Sequence, residues 1–553
     1  MMRRRDFLTS FAAGMLSSVV PGASILSASV TLDLRVSLRL AVSCILNRMD
    51  PARNYRPWFA VDVKNGVPTT LRHDVWDCGD MSGRFLEALI LARNIIEPTD
   101  AMLQGEQRIR NFLYSLIGSS GLVMNPDLDR HDHMFSQGSA LFGLVTDFEG
   151  SRDPALRLRI QALIEALNQH AQHTADYLWF SEVATPIAPC AHMAAYQVLP
   201  VVRFFELTGD PHALRYAEKL SHWAFYQDKT ITEDGIITKT GWEGHLHAWM
   251  DTYSGIIRCA RAGGNLDMQQ VLSRAHKLFD WIRLNETRPC GWVADSVGST
   301  TCETCTISSA IRLALELIRE GHTEYWNDIE RFIRNQLVQN QFDDLSGLSI
   351  QDSATAKGLR GAFESYAAPN TLIAEPDGTI EGCCINGGIR CLFLAYQNAI
   401  HETDDEIRIN LLFSHATEGI RVVSHFPHQG LLELYPDCTK TIWLRCPDWL
   451  SLQDLRVATT NGIAYSADPA THSLRITGGR PGNRIVLTLP QRSETASYVI
   501  AGRQYNVQWK GDTVVTLNPP GRPYPLYQAS ANLRRKTLPE PSDQTYRQPN
   551  IHW

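Results

Sequence analysis

The chain has 553 residues, 44% hydrophobic and 20% charged, a globular composition in a length too great for one core. Its net charge is -7 and no Lys/Arg block follows the N-terminus, so nucleic-acid and membrane-surface roles have no electrostatic support. No phosphate loop, dinucleotide fingerprint, HExxH or GxSxG stands in a supporting context, which sets aside kinase, dehydrogenase, zinc-protease and serine-hydrolase chemistry.

Residues 1–28 read as an address. Arg3-Arg4-Arg5-Asp6-Phe7-Leu8 holds a twin-arginine pattern, followed by an apolar run over 11–20 and then small residues and a proline. That run is too short to cross a bilayer core of roughly 30 Å as a helix. It predicts a cleavable export signal and a periplasmic or secreted location. No later segment is apolar enough to span a membrane.

Residues 35–404 predict helical hairpins. Turns rich in Gly, Asp and Pro fall near Glu97-Pro98-Thr99-Asp100, Gly150-Ser151-Arg152-Asp153, Thr208-Gly209-Asp210-Pro211, Gly263-Gly264-Asn265 and Gly321-His322-Thr323, at steps of 50 to 60 residues. Such a period marks repeated supersecondary units. Residues 214–225, 269–284 and 325–340 place apolar side chains at helical spacing, and 389–400 supplies a closing helix. About six hairpins could stack as an open superhelix, but long loops rich in His, Trp, Asp and Gly predict a closed (α/α)6 barrel with a site on those loops. Residues 405–533 break into short β-type runs separated by Gly, Pro and Asp, which predicts one or more β-sandwich modules. The tail, 534–553, is polar and Pro-rich and reads as extended or disordered.

Two clusters carry the chemistry: Cys302-Glu303-Thr304-Cys305 and Cys383-Cys384. Thiols and a carboxylate from two places can close one tetrahedral zinc site. On a regular helix Glu303 and Cys305 would point about 200° apart, so they belong to a loop or a first helical turn. There the positive end of the helix stabilises thiolate and carboxylate. Cys383-Cys384 reads as a turn just before the 389–400 helix. Disulfides (302 with 305, or the vicinal pair), a four-cysteine structural zinc site and free buried thiols compete with this reading. The remaining cysteines are scattered and read as small buried apolar residues.

Several segments together resemble a known family. Thr301-Cys-Glu-Thr-Cys-Thr-Ile, with the stretch from Leu313 through Gly321-His-Thr-Glu-Tyr-Trp to Gln336, is similar to the core signature of the β-L-arabinofuranosidase clan, glycoside hydrolase family 127 and relatives. Gly382-Cys-Cys with Arg390 resembles its second signature. Arg72-His-Asp-Val-Trp-Asp-Cys-Gly-Asp80 resembles its N-terminal segment, Gly244-His245 a pocket motif, and Thr441-Ile-Trp-Leu-Arg-Cys-Pro-Asp-Trp449 a β-strand. The resemblance implies an (α/α)6 barrel with β-sandwich modules. It implies Zn²⁺ held by Glu303, Cys305, Cys383 and Cys384, with Cys302 outside the shell. It also implies a retaining glycosidase on oligosaccharide or polysaccharide glycans, arabinofuranoside-like or related, with Cys383 as nucleophile.

The chain departs from the family at the general acid/base. The family's glutamate lies about sixteen residues before the metal-binding one, where Thr287 stands here. Glu286 beside it and Asp295 in Gly291-Trp-Val-Ala-Asp295 are the candidates. Ser139 replaces a second pocket histidine, and Ile385-Asn386-Gly387 replaces Pro-Pro-Asn after the cysteine pair. His245, His133 and Arg390 are the candidate substrate-binding residues, with His131 beside Asp132 a weaker one. Trp76, Trp242, Trp249 and Trp292 could stack on sugar faces or fill the core. His73, Asp74, Asp77 and Asp80 form either a polar rim or a structural network. The alternatives are an α/α-barrel lyase or uronyl hydrolase with structural zinc, and a non-catalytic glycan-binding relative.

Overall fold

The computed structural model describes residues 31–64, 67–181, 191–346, 348–373, 377–459, 462–522, 524–527, 537–538, 551 and 553. The expected export signal, 1–28, lies outside these residues. No helix among them is long and apolar enough to cross a membrane.

Thirteen α-helices are described: α1 (Leu34–Asn47), α2 (Gly79–Arg93), α3 (Asp100–Leu116), α4 (Met134–Ser151), α5 (Pro154–His170), α6 (Val198–Thr208), α7 (Pro211–His222), α8 (Leu246–Arg261), α9 (Met268–Asn285), α10 (Thr304–Arg319), α11 (Trp326–Arg331), α12 (Ser353–Leu359) and α13 (Gly382–Ala399). They form the expected (α/α)6 barrel. Around the inner ring α2 packs on α4, α4 on α6, α6 on α8, α8 on α10, α10 on α13, and α13 closes back on α2. α3, α5, α7, α9, α11 and α1 flank the ring from outside. Burial follows this division. Nearly every residue of α2, α4, α8, α10 and α13 is buried, whereas α3, α5, α7 and α9 bury one stripe.

The hairpin turns work through their caps. Asp153, Asp210 and Asp267 accept backbone N–H bonds at the starts of α5, α7 and α9, and Pro154 and Pro211 take the first helical position, where no N–H is needed. Gly209 ends α6 in the left-handed region at φ 68°, which favours glycine.

α13 runs directly into a sandwich of two five-stranded sheets. One orders Ile400–Glu402, Glu406–Ile409, Thr441–Arg445, Ser473–Thr477 and Ala464–Asp468; the other His415–Ala416, Ile420–Ser424, Leu431–Pro436, Ile485–Thr488 and Arg456–Ala458. Ile407, Leu434, Ile442, Leu444, Ile476 and Leu487 fill the space between them. A third, three-stranded sheet (Ser493–Ile500, Arg503–Lys510, Thr513–Asn518) behaves differently from the 405–533 expectation. Alternation along its middle strand buries Tyr505, Val507 and Trp509 on one face, and these join the barrel's core. Glu330 links barrel and sandwich: it accepts from Arg445 at 2.7 Å and from the Leu412 N–H at 3.0 Å, and pairs with Arg334. Within the expected polar tail, Trp553 is buried in the barrel, its Nε1 donating to Thr146 Oγ1 at 2.9 Å.

Candidate metal centre and active site

Two inner-helix N-termini meet at one end of the barrel. Glu303 caps α10 and Cys305 lies in its first turn, so the two are not held to the opposed directions of a regular helix. The strand Asp377–Glu381 delivers the chain into α13, which starts seven residues before the expected position 389. Cys383 and Cys384 therefore occupy its first turn rather than a preceding turn. Both positive helix ends face the same cluster, which favours anions there. Gly387 permits the approach: a Cβ at this position would lie 3.0 Å from Cys305 Cα.

The ligand atoms of Glu303, Cys305, Cys383 and Cys384 all lie within 4.8 Å of one another and could hold a metal ion. Cys384 Sγ is 3.9 Å from Cys305 Sγ, 3.9 Å from Cys383 Sγ and 4.0 Å from Glu303 Oε1. Sulfurs on a tetrahedral zinc with Zn–S of about 2.3 Å stand about 3.8 Å apart. A disulfide needs about 2.05 Å, and all these cysteines are free. Cys302 points elsewhere, toward Glu364, with its N–H donating to Ala367 O at 2.9 Å.

The electrostatics call for a cation. Burial, then the adjacent Cys305, pushes the Glu303 carboxyl up to about 7. Burial also drives the Cys305 thiol up, and hydrogen bonding to the neighbouring sulfurs drives Cys383 up. Burial also acts against the Cys384 thiolate, but hydrogen bonds from Cys305 and Cys383 outweigh it and bring this thiol down to about 7. The other three crowded acids hold their protons unless positive charge replaces them, and a divalent metal would do so.

A cavity of about 210 Å³ opens beside the cluster, lined by Gly241, Trp242, His245, Asp295, Ser296 and Tyr366. His245 caps α8, and its Nε2 meets Glu303 Oε2 at 3.1 Å. Burial pulls its imidazole down, but the bond to Glu303 and the carboxylate's charge outweigh this and hold it above its ordinary value. Asp295 accepts from Ser296 Oγ at 3.0 Å and Thr301 Oγ1 at 2.8 Å, and from Ser299 Oγ. The Leu246 N–H donates to its carbonyl at 3.0 Å, tying this loop to the start of α8. Trp242 is 41% exposed on the cavity wall. Cys383 is the most exposed of the four cluster residues, at 7% against 3% or less for the others.

Asp295 and His245 line this cavity, Cys383 lies in the cluster that His245 touches through Glu303, and the other candidates lie elsewhere. Glu286 ends α9, accepts from the Gly298 N–H at 3.2 Å and does not line the cavity. His133 is buried at the start of α4 with its ring 5.1 Å from Trp76. Arg390 is corrected outright as a substrate ligand. It is 1% exposed, and its Nε donates to Glu87 Oε1 at 3.1 Å. It belongs to a buried network in the barrel axis with Arg84–Asp80 (2.7 Å) and Arg312–Asp251 (3.0 Å), in which Ser139 also bonds Asp80. His131 is partly buried, with Nδ1 3.0 Å from the Asp132 carbonyl, and is not a cavity residue. Trp76, Trp249 and Trp292 are buried, so only Trp242 of the four tryptophans faces the cavity. His73 stacks on Trp58 and bonds Asp77 at 2.6 Å, a structural network.

Two residues at the site escaped sequence reasoning. Tyr366 lines the cavity, and burial raises its phenol well above the usual value. Glu381 accepts from Cys383 Sγ at 3.4 Å, and burial followed by the charge of Glu303 pushes its carboxyl up to about 8. Glu381 stands two residues before Cys383, the one signal that could have found it; Tyr366 lies in no motif.

No protein-family model matches the chain, and no curated protein matches its sequence. Solved structures do. A GH127 β-L-arabinofuranosidase from Geobacillus stearothermophilus T6 aligns over 87% of this chain and 80% of its own, at 12% identity and a TM-score of 0.56. A second GH127 β-arabinofuranosidase aligns over 88% and 84%, at 13% identity and a TM-score of 0.60. A further structure described as a glycoside hydrolase aligns over 79% and 77%, at 14% identity and a TM-score of 0.54. At these identities the likeness is one of fold.

Proposed function

We propose that the protein is an exported retaining glycoside hydrolase acting on an arabinofuranoside-like glycan, with Cys383 as nucleophile at a zinc centre. The observation that carries this reading is the convergence of three thiols and one carboxylate at two helix N-termini beside an open cavity. The fold shared with GH127 arabinofuranosidases supports the substrate class. The twin-arginine motif supports export.

The donor set fits zinc, a borderline-soft ion that takes thiolate and carboxylate together. Held by Glu303, Cys305, Cys383 and Cys384, zinc would keep the sulfurs as thiolates at neutral pH. Three thiolates and a carboxylate leave the centre near -2 by formal counting, so sulfur stays electron-rich. Cys383 attacks because it is the least buried of the four, at 7% exposed. Its Sγ bonds the anomeric carbon as the glycosidic C–O bond breaks. The leaving oxygen takes the electron pair and a proton from Asp295. Water then attacks the same carbon, returns a proton to Asp295, and the S–C electron pair goes back to sulfur, which retains configuration. His245 orients Glu303 through the contact between its Nε2 and Oε2. Trp242 offers a ring face to the sugar.

An aryl β-L-arabinofuranoside screen on the mature protein tests this reading. Hydrolysis is expected, falling at least roughly a thousandfold in Cys383→Ser and about 100- to 10,000-fold in Asp295→Asn. Cleavage that survives Cys383→Ser would favour a lyase or hydrolase using other groups. Glycan binding without any cleavage would make the protein a binding relative.

A further inference from the structure

Glu381 lies outside the set of four ligands yet touches it. It is the last residue of the strand Asp377–Glu381 and the cap of α13. Its N–H donates to Ser365 Oγ at 2.8 Å, which fixes the strand end. The Oε2 atom accepts from Cys383 Sγ at 3.4 Å. Among the described residues, no other side chain is bonded to this carboxylate, and the charges acting on it most strongly are acidic: Glu303, Cys305 and Asp80. A partly buried carboxylate held among acids, with no cationic partner, has no structural pairing that accounts for it.

We infer that Glu381 is a reserve ligand that takes the place of Cys383 whenever that sulfur is not a thiolate. The inference rests on the zinc reading above. During turnover the Cys383 sulfur becomes a thioether, a neutral and weak donor. A tetrahedral site would then hold only three good ligands. Glu381 Oε2 lies 3.4 Å from that sulfur, and a carboxylate oxygen is a normal zinc donor. Exchanging one anionic ligand for another leaves the formal charge of the four-ligand set unchanged. Cys383 is thereby free to carry the sugar without loss of the ion.

Zinc affinity measured by competition with a chromophoric chelator tests this on the mature protein and three variants. Near-UV circular dichroism confirms that each is folded. Wild type and Glu381→Gln are expected to bind one zinc with affinities within about threefold. Cys383→Ala still binds one zinc, more weakly. Cys383→Ala/Glu381→Gln binds at least about tenfold more weakly than Cys383→Ala, the scale on which loss of a metal-site partner is felt. X-ray absorption on the zinc forms gives three sulfurs and one oxygen in wild type, and two sulfurs and two oxygens in Cys383→Ala. Equal affinities for Cys383→Ala and the double variant overturn the inference while leaving the zinc site intact. A large loss in Glu381→Gln alone also overturns it, since Glu381 would then be a constant ligand. A wild type that binds no zinc overturns the zinc reading and the inference together.

Discussion

Arg390 and His415 show how burial decides what a titratable side chain does. Arg390 faces Glu87 inside the barrel, and the ion pair holds the Glu87 carboxyl below its usual range despite the opposing effect of burial. A guanidinium so engaged cannot leave for a sugar, since breaking a buried pair costs about 3–5 kcal/mol. His415 is 6% exposed, with its ring edge-on to Tyr396 at 4.0 Å. Burial, then the charge of Arg35, lowers its pKa to about 3, with Asp33 opposing. The folded state therefore keeps this imidazole neutral, whereas the unfolded chain protonates it below about 6.5. Its contribution to stability is complete above pH 6.5 and is lost as the pH falls from there toward 3. Between pH 7 and pH 5 the loss from this group is about 2 kcal/mol. Denaturant unfolding at both values is expected to show His415→Phe losing less stability on acidification than wild type by about that amount. Equal losses would mean that His415 is not held neutral.

At the scale of elements, the site depends on how closely α10 and α13 approach. Gly382, Gly387 and Gly388, with Asn386, give the start of α13 the look of a turn, which is why helix was expected only from residue 389. Tertiary contact overrides that local preference: a Cβ on Gly387 would press on Cys305 Cα at 3.0 Å and Sγ at 3.2 Å. Gly387→Ala gains about 1 kcal/mol of helix propensity and loses about 1–3 kcal/mol to overpacking. The expected net is a lower thermal midpoint and weaker zinc binding, because the displaced atoms carry a ligand. A raised midpoint with unchanged zinc affinity would show that the two helices have room to spare. The outer elements were easier to read, because Asp153-Pro154 and Asp210-Pro211 carry their capping chemistry in the sequence itself.

For the whole molecule, what the sequence disclosed divides along physical lines. The barrel was legible because hairpin turns recur at a regular step and outer helices show one apolar stripe. The metal cluster was legible because thiols and a carboxylate at two places have few other uses. The pocket was less so. Its walls come from Trp242, Asp295 and Tyr366, on loops whose meeting is set only by closure of the ring. Polar residues on inner helices misled for a related reason: the barrel axis is filled by a charge network, so Arg390 is spent inside it, and His133 packs against Trp76. The third β-sheet was assigned to the sandwich because strand patterning does not say which core a buried face joins. The most direct test of the account is the metal content of the protein purified without chelator, alongside Cys305→Ala and Cys384→Ala. The account predicts one zinc per chain in wild type and its loss in both variants. No metal, with Cys383–Cys384 or Cys302–Cys305 recovered as disulfides, would contradict it.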